Sequence, residues 1–343
     1  MNGLTATSPD GNNYLASDAD PVFSGPISQT ITIGGTGQYV LNFDYAAAQF
    51  RNQSGTAFNG ATTSAWKVTL AGSTLTTSPV LSISSHGFSG WKEDSVTFTG
   101  TLGTNLLSFL AVGTPSGLPP AALLDSVSIM HACGSGTVAS YIGTTCAIGD
   151  KKFSNFKYTP TAIGSAVASS AAQTTITPIM SGNNYGFDIN GIWDAGPNSA
   201  ADAVLSYTVQ SLAGDTIDDA ALSLTGSAIG GGFATVGETI CEGDLLSDGC
   251  ASGTSATLQA SLPSDATDSI TFAPTDLVDI SKDIDVFGGA GFASLSDVID
   301  TVSQCALCDP PGDPPAVPEP ASLALLGFGL AGLTGVGLIR RRR

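Results

Sequence analysis

Through most of the chain, short runs of alternating hydrophobic and polar residues are separated by clusters of Gly, Ser, Asn and Pro. Residues 39–45 place Tyr39, Leu41, Phe43 and Tyr45 on one parity, with Val40, Asn42 and Asp44 between them. Residues 66–70 repeat the pattern with Trp66, Val68 and Leu70, and so do the stretches 27–33, 95–99, 106–109 and 124–129. Successive side chains of a strand point to opposite faces, so a period of two predicts strands with one face in a core. Further on, 202–209 reads the same way. No 3.6-residue periodicity occurs before the C-terminal tail. Residues 162–172 are rich in Ala and Ser, but Gly164 and the Thr/Ile run that follows favour strand or loop. Strands of this length between frequent turn signals predict a mainly β chain built of antiparallel sandwiches.

The pattern divides near residue 131. Residues 1–130 predict one β-sandwich and 131–308 a second, which starts around Cys133 and the segment 146–153. Residues 309–320 hold six prolines, which neither a helix interior nor a central strand accepts, and predict an extended linker. From Ala321 to Ile339 come 19 uncharged, mostly apolar residues. As a helix they span roughly 28 Å, about one hydrocarbon core, and predict a single transmembrane helix. Arg340, Arg341, Arg342 and Arg343 follow directly. By the positive-inside rule they stay cytoplasmic, which leaves everything before the span outside.

Val317-Pro318-Glu319-Pro320, a short Gly-rich apolar span and a terminal arginine cluster together resemble the PEP-CTERM sorting signal of Gram-negative bacteria. The alternative for the same residues is a plain single-span anchor. The resemblance implies a membrane protease of the exosortase type as partner, cleavage near the Pro-Glu-Pro, and the inner membrane as a transient station. The destination it implies is the cell surface, the outer membrane or the exopolysaccharide matrix of a biofilm. Gly327, Ala331 and Gly335 form a row of small residues suited to close helix packing.

Residues 1–130 resemble the jelly-roll modules common in such sorted proteins, similar to galactose-binding-like and carbohydrate-binding domains. The resemblance rests on Asp10-Gly11-Asn12-Asn13-Tyr14-Leu15, Gly25-Pro26-Ile27-Ser28-Gln29-Thr30, Phe43-Asp44-Tyr45-Ala46, Phe88-Ser89-Gly90-Trp91 and Leu124-Asp125-Ser126-Val127. Such modules open on an Asn-Gly-x-Phe-Glu strand, of which only Asn2-Gly3 stands here. Met1 to Asp20 also lacks the basic start and apolar core of a signal peptide. Both features predict that the native start lies upstream. Modules of this type often hold a structural calcium, and the resemblance puts one carboxylate at Asp125. With the usual glutamate missing, Asp10, Asp18 and Asp20 are the substitute ligands, against the plainer reading of solvated loop aspartates.

Charge narrows the functions further. The chain carries 29 Asp+Glu against 11 Lys+Arg, a net charge of −18; without the four terminal arginines the body stands at −22 (−18 minus 4). Such a field repels phosphate backbones, so nucleic acid is not an expected partner.

The six cysteines fall into near-neighbour pairs, Cys133/Cys146, Cys241/Cys250 and Cys305/Cys308. Even, locally spaced cysteines read as disulfides of an oxidising compartment, though six allow many connectivities. Only the last pair has metal-ligand spacing, and neither His lies near it. A redox Cys-x-x-Cys would open a helix, whereas this one precedes the prolines.

Catalytic signatures are sparse. His86 and His131 sit in no recognisable nucleophile–base arrangement, and the chain has no nucleophile elbow, phosphate loop or H-E-x-x-H. A triad or a carboxylate pair assembled only in space stays open at this stage. No catalytic residue and no cofactor beyond calcium are expected. Sugar rings stack on flat aromatic faces, which makes Trp91, in the loop after Gly90, the candidate ligand-binding residue. Core or staple packing is its alternative role. Trp66 belongs to an alternating strand and predicts core; Trp193 fits either role.

These readings favour a non-enzymatic surface or matrix protein that binds extracellular polysaccharide or builds the matrix. A secreted hydrolase and a purely structural adhesin spacer are the alternatives.

Overall fold

The computed structural model describes residues 7–9, 11, 13–20, 24–49, 61–116, 120–212, 216–242, 250 and 255–304. The sorting-motif residues, the apolar span, Cys305, Cys308 and Asp10 lie outside these. No helix among the described residues is long and apolar enough to cross a membrane.

Among the described residues, nine strands form the first sandwich. They are β1 (Leu15–Asp18), β2 (Ile27–Ile33), β3 (Gly37–Ala48), β4 (Thr62–Leu70), β5 (Ser73–Thr77), β6 (Leu81–Ile83), β7 (Lys92–Gly100), β8 (Gly103–Thr114) and β9 (Ala121–His131). One sheet has the order β1-β9-β3-β7; the other runs β2-β8-β4-β5, with β6 also paired to β4. All of these pairings are antiparallel. Tyr39, Leu41, Phe43 and Tyr45 of β3 point inward, as their parity predicts, against Trp66, Val68 and Phe109 of the facing sheet. The ring of Phe43 meets that of Phe109 edge-on at 5.3 Å. Trp66 is fully buried, and its indole N–H donates across the core to the Leu123 carbonyl at 2.9 Å. Hydrophobic burial holds the sheets together while this bond satisfies the one polar atom of the ring.

Strand β3 departs from simple alternation, because residues 39–48 are all buried. Its outer face is covered twice. At one end the Asn42 amide donates to Gly149 O of the second sandwich at 3.2 Å. At the other, Ala46, Ala121 and Leu123 pack beneath Tyr14 and Trp91.

The second sandwich contains β10 (Gly136–Thr137), β11 (Cys146–Ile148), β12 (Lys151–Ile163), β13 (Val167–Ala168), β14 (Thr175–Ser181), β15 (Asn184–Ala195) and β16 (Ala200–Ser211). It continues with β17 (Ile217–Ile229), β18 (Phe233–Glu242), β19 (Ser255–Leu262), β20 (Thr267–Thr275), β21 (Leu277–Phe287) and β22 (Phe292–Gln304). The third sheet is ordered β10-β14-β15-β22-β17-β20, with β13 on β15, and the fourth β11-β12-β16-β21-β18-β19. One helical turn, α1 (Val138–Tyr141), is capped by the Thr137 side chain. The core between the sheets is an aromatic cluster in which Phe187 lies 4.7 Å from Phe153, 5.7 Å from Phe156 and 5.6 Å from Tyr207. Trp193 is fully buried and donates to the Tyr158 hydroxyl at 3.2 Å, which settles its role as core.

Among the described residues two disulfides are formed, Cys133–Cys146 and Cys241–Cys250, with Cα–Cα distances of 4.9 and 5.2 Å. The first closes the turn that leads from β9 into the second sandwich. Beside it the Cys133 N–H donates to Ala147 O at 2.9 Å.

Candidate functional site: an edge groove and an acidic cluster

The two sheets of the first sandwich part where their edge strands, β1 and β2, face each other. A groove of about 670 Å³ opens there. Leu107, Phe109 and Leu124, core residues seen from the side, make an apolar floor. Asn13, Ser28, Gln29 and Ser126 supply polar groups at the rim, and Tyr14 supplies the aromatic wall. The pairing of β9 with β3 shifts register between Asn42 and Asp44, where Ser126 adopts a positive φ of 52°. Such a bulge re-aims the side chains beside it. Here it turns the segment 125–127 toward the groove.

Asp125 lines this groove, but its oxygens are already used. Oδ1 accepts the Ser126 N–H at 2.9 Å, and Oδ2 accepts the Ser8 hydroxyl at 2.5 Å. Asp18 and Asp20 stand at the far end of β1, where Asp18 pairs with Ala121 while Leu15 pairs with Leu124. Asp18 Oδ1 accepts the Asp20 N–H at 2.9 Å, and Asp20 Oδ2 accepts the Ser116 hydroxyl at 3.2 Å. Four residues of strand span about 13 Å, too far for one calcium shell. The expected ligand set of Asp125, Asp18 and Asp20 is therefore not brought together.

Trp91 is half-buried rather than free. Its indole N–H donates to Thr7 O at 2.8 Å, and its ring meets Tyr14 edge-on at 5.6 Å. It stands behind Tyr14 and staples the N-terminal segment to the sheet, so of these two rings it is Tyr14 that lines the groove. Nothing local in the sequence singles out Tyr14, since a tyrosine beside a strand start is ordinary core material. The histidines are apart in role: His86 occupies an exposed turn at φ 64°, and the His131 ring lies 4.1 Å from that of Tyr39.

The second sandwich gathers acids on its outer faces. Asp202 of β16 and Asp283 and Asp285 of β21 bring one carboxylate oxygen each within 4.8 Å of the others, a donor set of the kind hard cations prefer. Burial, and then repulsion by Asp202 on Asp283 and by Asp283 and Asp202 on Asp285, raises both carboxyls above the usual range. Their signal in the sequence was the i, i+2 repeat of Asp in an alternating strand. On the other sheet, burial and a hydrogen bond shared with Asp188 push Asp297 up to about 6.

In sequence, the tail runs from Pro-Glu-Pro through an apolar span to an arginine cluster. Residues 316–343 carry the PEP-CTERM protein-sorting motif. The PEP-CTERM tail implies handling by an exosortase, a membrane enzyme, and export toward the cell surface. No curated protein matches the chain in sequence. Among solved structures, the chain is similar to the N-terminal CBM22-1-CBM22-2 tandem domain of Xyn10C from Paenibacillus barcinonensis. That match is 12% identical, covers 86% of this chain and 88% of that one, and has a TM-score of 0.25. Tripeptidyl peptidase 2 matches at 10% identity over 88% of this chain and 23% of its own, with a TM-score of 0.21. Neither superposition is close enough to carry over a ligand or a reaction.

Proposed function

We propose that this is a non-enzymatic protein of the bacterial surface or extracellular matrix, released to its destination by exosortase cleavage of the PEP-CTERM tail, and that its first sandwich holds neutral glycans. The observation that carries the glycan reading is the edge groove, with its apolar floor, the Tyr14 wall and a rim of amide and hydroxyl groups. A sugar presents the complementary surface: flat C–H faces for an aromatic ring and hydroxyls for the rim. Uronate-rich polymers fit poorly, because the acidic body repels a second polyanion at low salt. A shallow groove gives weak single contacts, so retention on a matrix would come from many copies engaging together.

A glycan array probed with the full chain tests this reading. Neutral glycans should be retained, and Tyr14→Ala should weaken retention about tenfold, the equivalent of about 1.4 kcal/mol. Circular dichroism should stay unchanged, since Tyr14 lies at the edge of the core. An array that retains no neutral glycan, or a Tyr14→Ala chain that binds as the parent does, would make the sandwich a spacer.

A further inference from the structure

The core of the second sandwich contains a lysine. Lys282 lies on β21, between β16 and β18 in the fourth sheet, and is fully buried. Its cross-strand neighbour is Glu238 of β18, 1% exposed. Asp300 faces it from β22, which runs between β15 and β17 in the third sheet, and is also fully buried. The Lys282 Nζ touches Asp300 Oδ2 and lies 3.1 Å from Glu238 Oε2. Tyr207 of β16 closes the group: its hydroxyl donates to Asp300 Oδ2, and its ring lies under the amine, 5.0 Å from Nζ.

As a permanent ion pair this arrangement is a poor one. One cation faces two carboxylates, and Asp300 Oδ1 and Glu238 Oε1 are buried without a hydrogen-bond partner. Each buried ion costs several kcal/mol unless its remaining lone pairs are satisfied. Burial raises the Asp300 carboxyl well above its ordinary range and lowers the Lys282 amine, with Glu238 opposing the second shift. Both shifts favour the uncharged forms, a free amine against a carboxylic acid.

We propose that Lys282 and Asp300 condense to an intramolecular amide that stitches the two sheets of the second sandwich together, with Glu238 carrying the protons. The Lys282 Nζ lone pair attacks Asp300 Cγ, so that an N–C bond forms. Glu238 takes a proton from the nitrogen and returns it to an Asp300 oxygen. The Cγ–O bond breaks and one water leaves. Nothing is oxidised or reduced, and no activating co-reactant is consumed. Amide formation from a free acid is unfavourable in dilute water. Here the reactants are held in contact, the product replaces two groups that are costly to bury as ions, and the closed core leaves little water for the reverse reaction. Tyr207 holds the carboxyl in place and hydrogen-bonds the oxygen on which charge develops. The bond would join central strands of opposite sheets, where hydrogen bonds along either sheet give no direct connection. For a chain exported by its tail, that is a covalent lock against pulling and proteolysis.

Trypsin digestion of the full chain, unfolded and reduced, followed by mass spectrometry, tests the proposal. Trypsin needs a free lysine amine, so the amide blocks cleavage after Lys282. The expected product begins at Tyr158, runs through Lys282 into the sequence beyond it, is one water lighter than its sequence, and fragments as a Lys282–Asp300 cross-link. Glu238→Gln should keep the fold, restore cleavage after Lys282 and restore the sequence mass. Asp300→Asn replaces the leaving water by ammonia, so any bond it forms should show ammonia loss from the same pair. A wild-type chain that is cut after Lys282 into peptides of full sequence mass overturns the proposal, and so does a water loss located at any other pair.

Discussion

Replacing Cys133 and Cys146 together by alanine removes the bond at the turn from the first sandwich into the second. The two residues are 13 apart, and the restraint that a loop of this size places on the unfolded chain corresponds to about 3 kcal/mol at 25 °C. The native-state loss is smaller. Cys146 is buried, but exchanging its sulfur for hydrogen removes little volume, and the Cys133 N–H bond to Ala147 O belongs to the backbone and survives. The 9-residue separation of Cys241 and Cys250 gives a slightly lower figure, about 2.6 kcal/mol. Hydrogen exchange of the amides of β15 and β16, interior strands of the two sheets of the second sandwich, reads the change. About 3 kcal/mol should accelerate them about a hundredfold, and mild reduction of the wild-type chain should add the effect of the second disulfide. Acceleration of less than about threefold would refute the argument, because the bond would then restrain nothing that the folded turn does not already hold.

The Asp188–Asp297 pair predicts a pH dependence of defined sign. Asp297 binds its proton more tightly folded than unfolded, so its favourable contribution is complete below about pH 4 and lost as the pH rises through about 6. Asp297→Asn should therefore raise the melting temperature at pH 7 and leave it nearly unchanged at pH 4 by calorimetry; equal shifts at both would contradict this. At the C-terminus, removal of the sorting tail predicts that protein recovered from the cell surface lacks Arg340 to Arg343. Intact-mass measurement that finds these arginines would show a retained anchor instead.

Much of the β architecture was legible along the chain, because strand parity is a local property. The stretch 27–33 is β2 residue for residue, 39–45 lies inside β3, and 66–70 ends β4. Near-neighbour cysteines paired as their spacing suggested, since a short loop is the least costly to close. The role of Trp91 was only half legible. Its loop position was correct, but the segment that it clamps, from Thr7 to Tyr14, comes from elsewhere in the chain. The calcium expectation was illegible for a related reason: only the pairing register shows that Asp18 and Asp20 stand at the opposite end of β1 from Asp125, and Asp10 lies outside the described residues.

The sequence by itself determined the β content, the local disulfides and the sorting tail. Each depends on residues a few positions apart: a period of two, a short loop, a linear motif. The tertiary structure alone decided what lies across a core or at a sheet edge. The parity of Lys282 could have shown that it faces inward, but not that Glu238 and Asp300, 44 and 18 residues away, would meet it there. Tyr14 became the wall of a groove because β1 and β2 fell on the edges of facing sheets. Such meetings depend on strand order and register, which long-range packing selects and no short stretch of chain encodes.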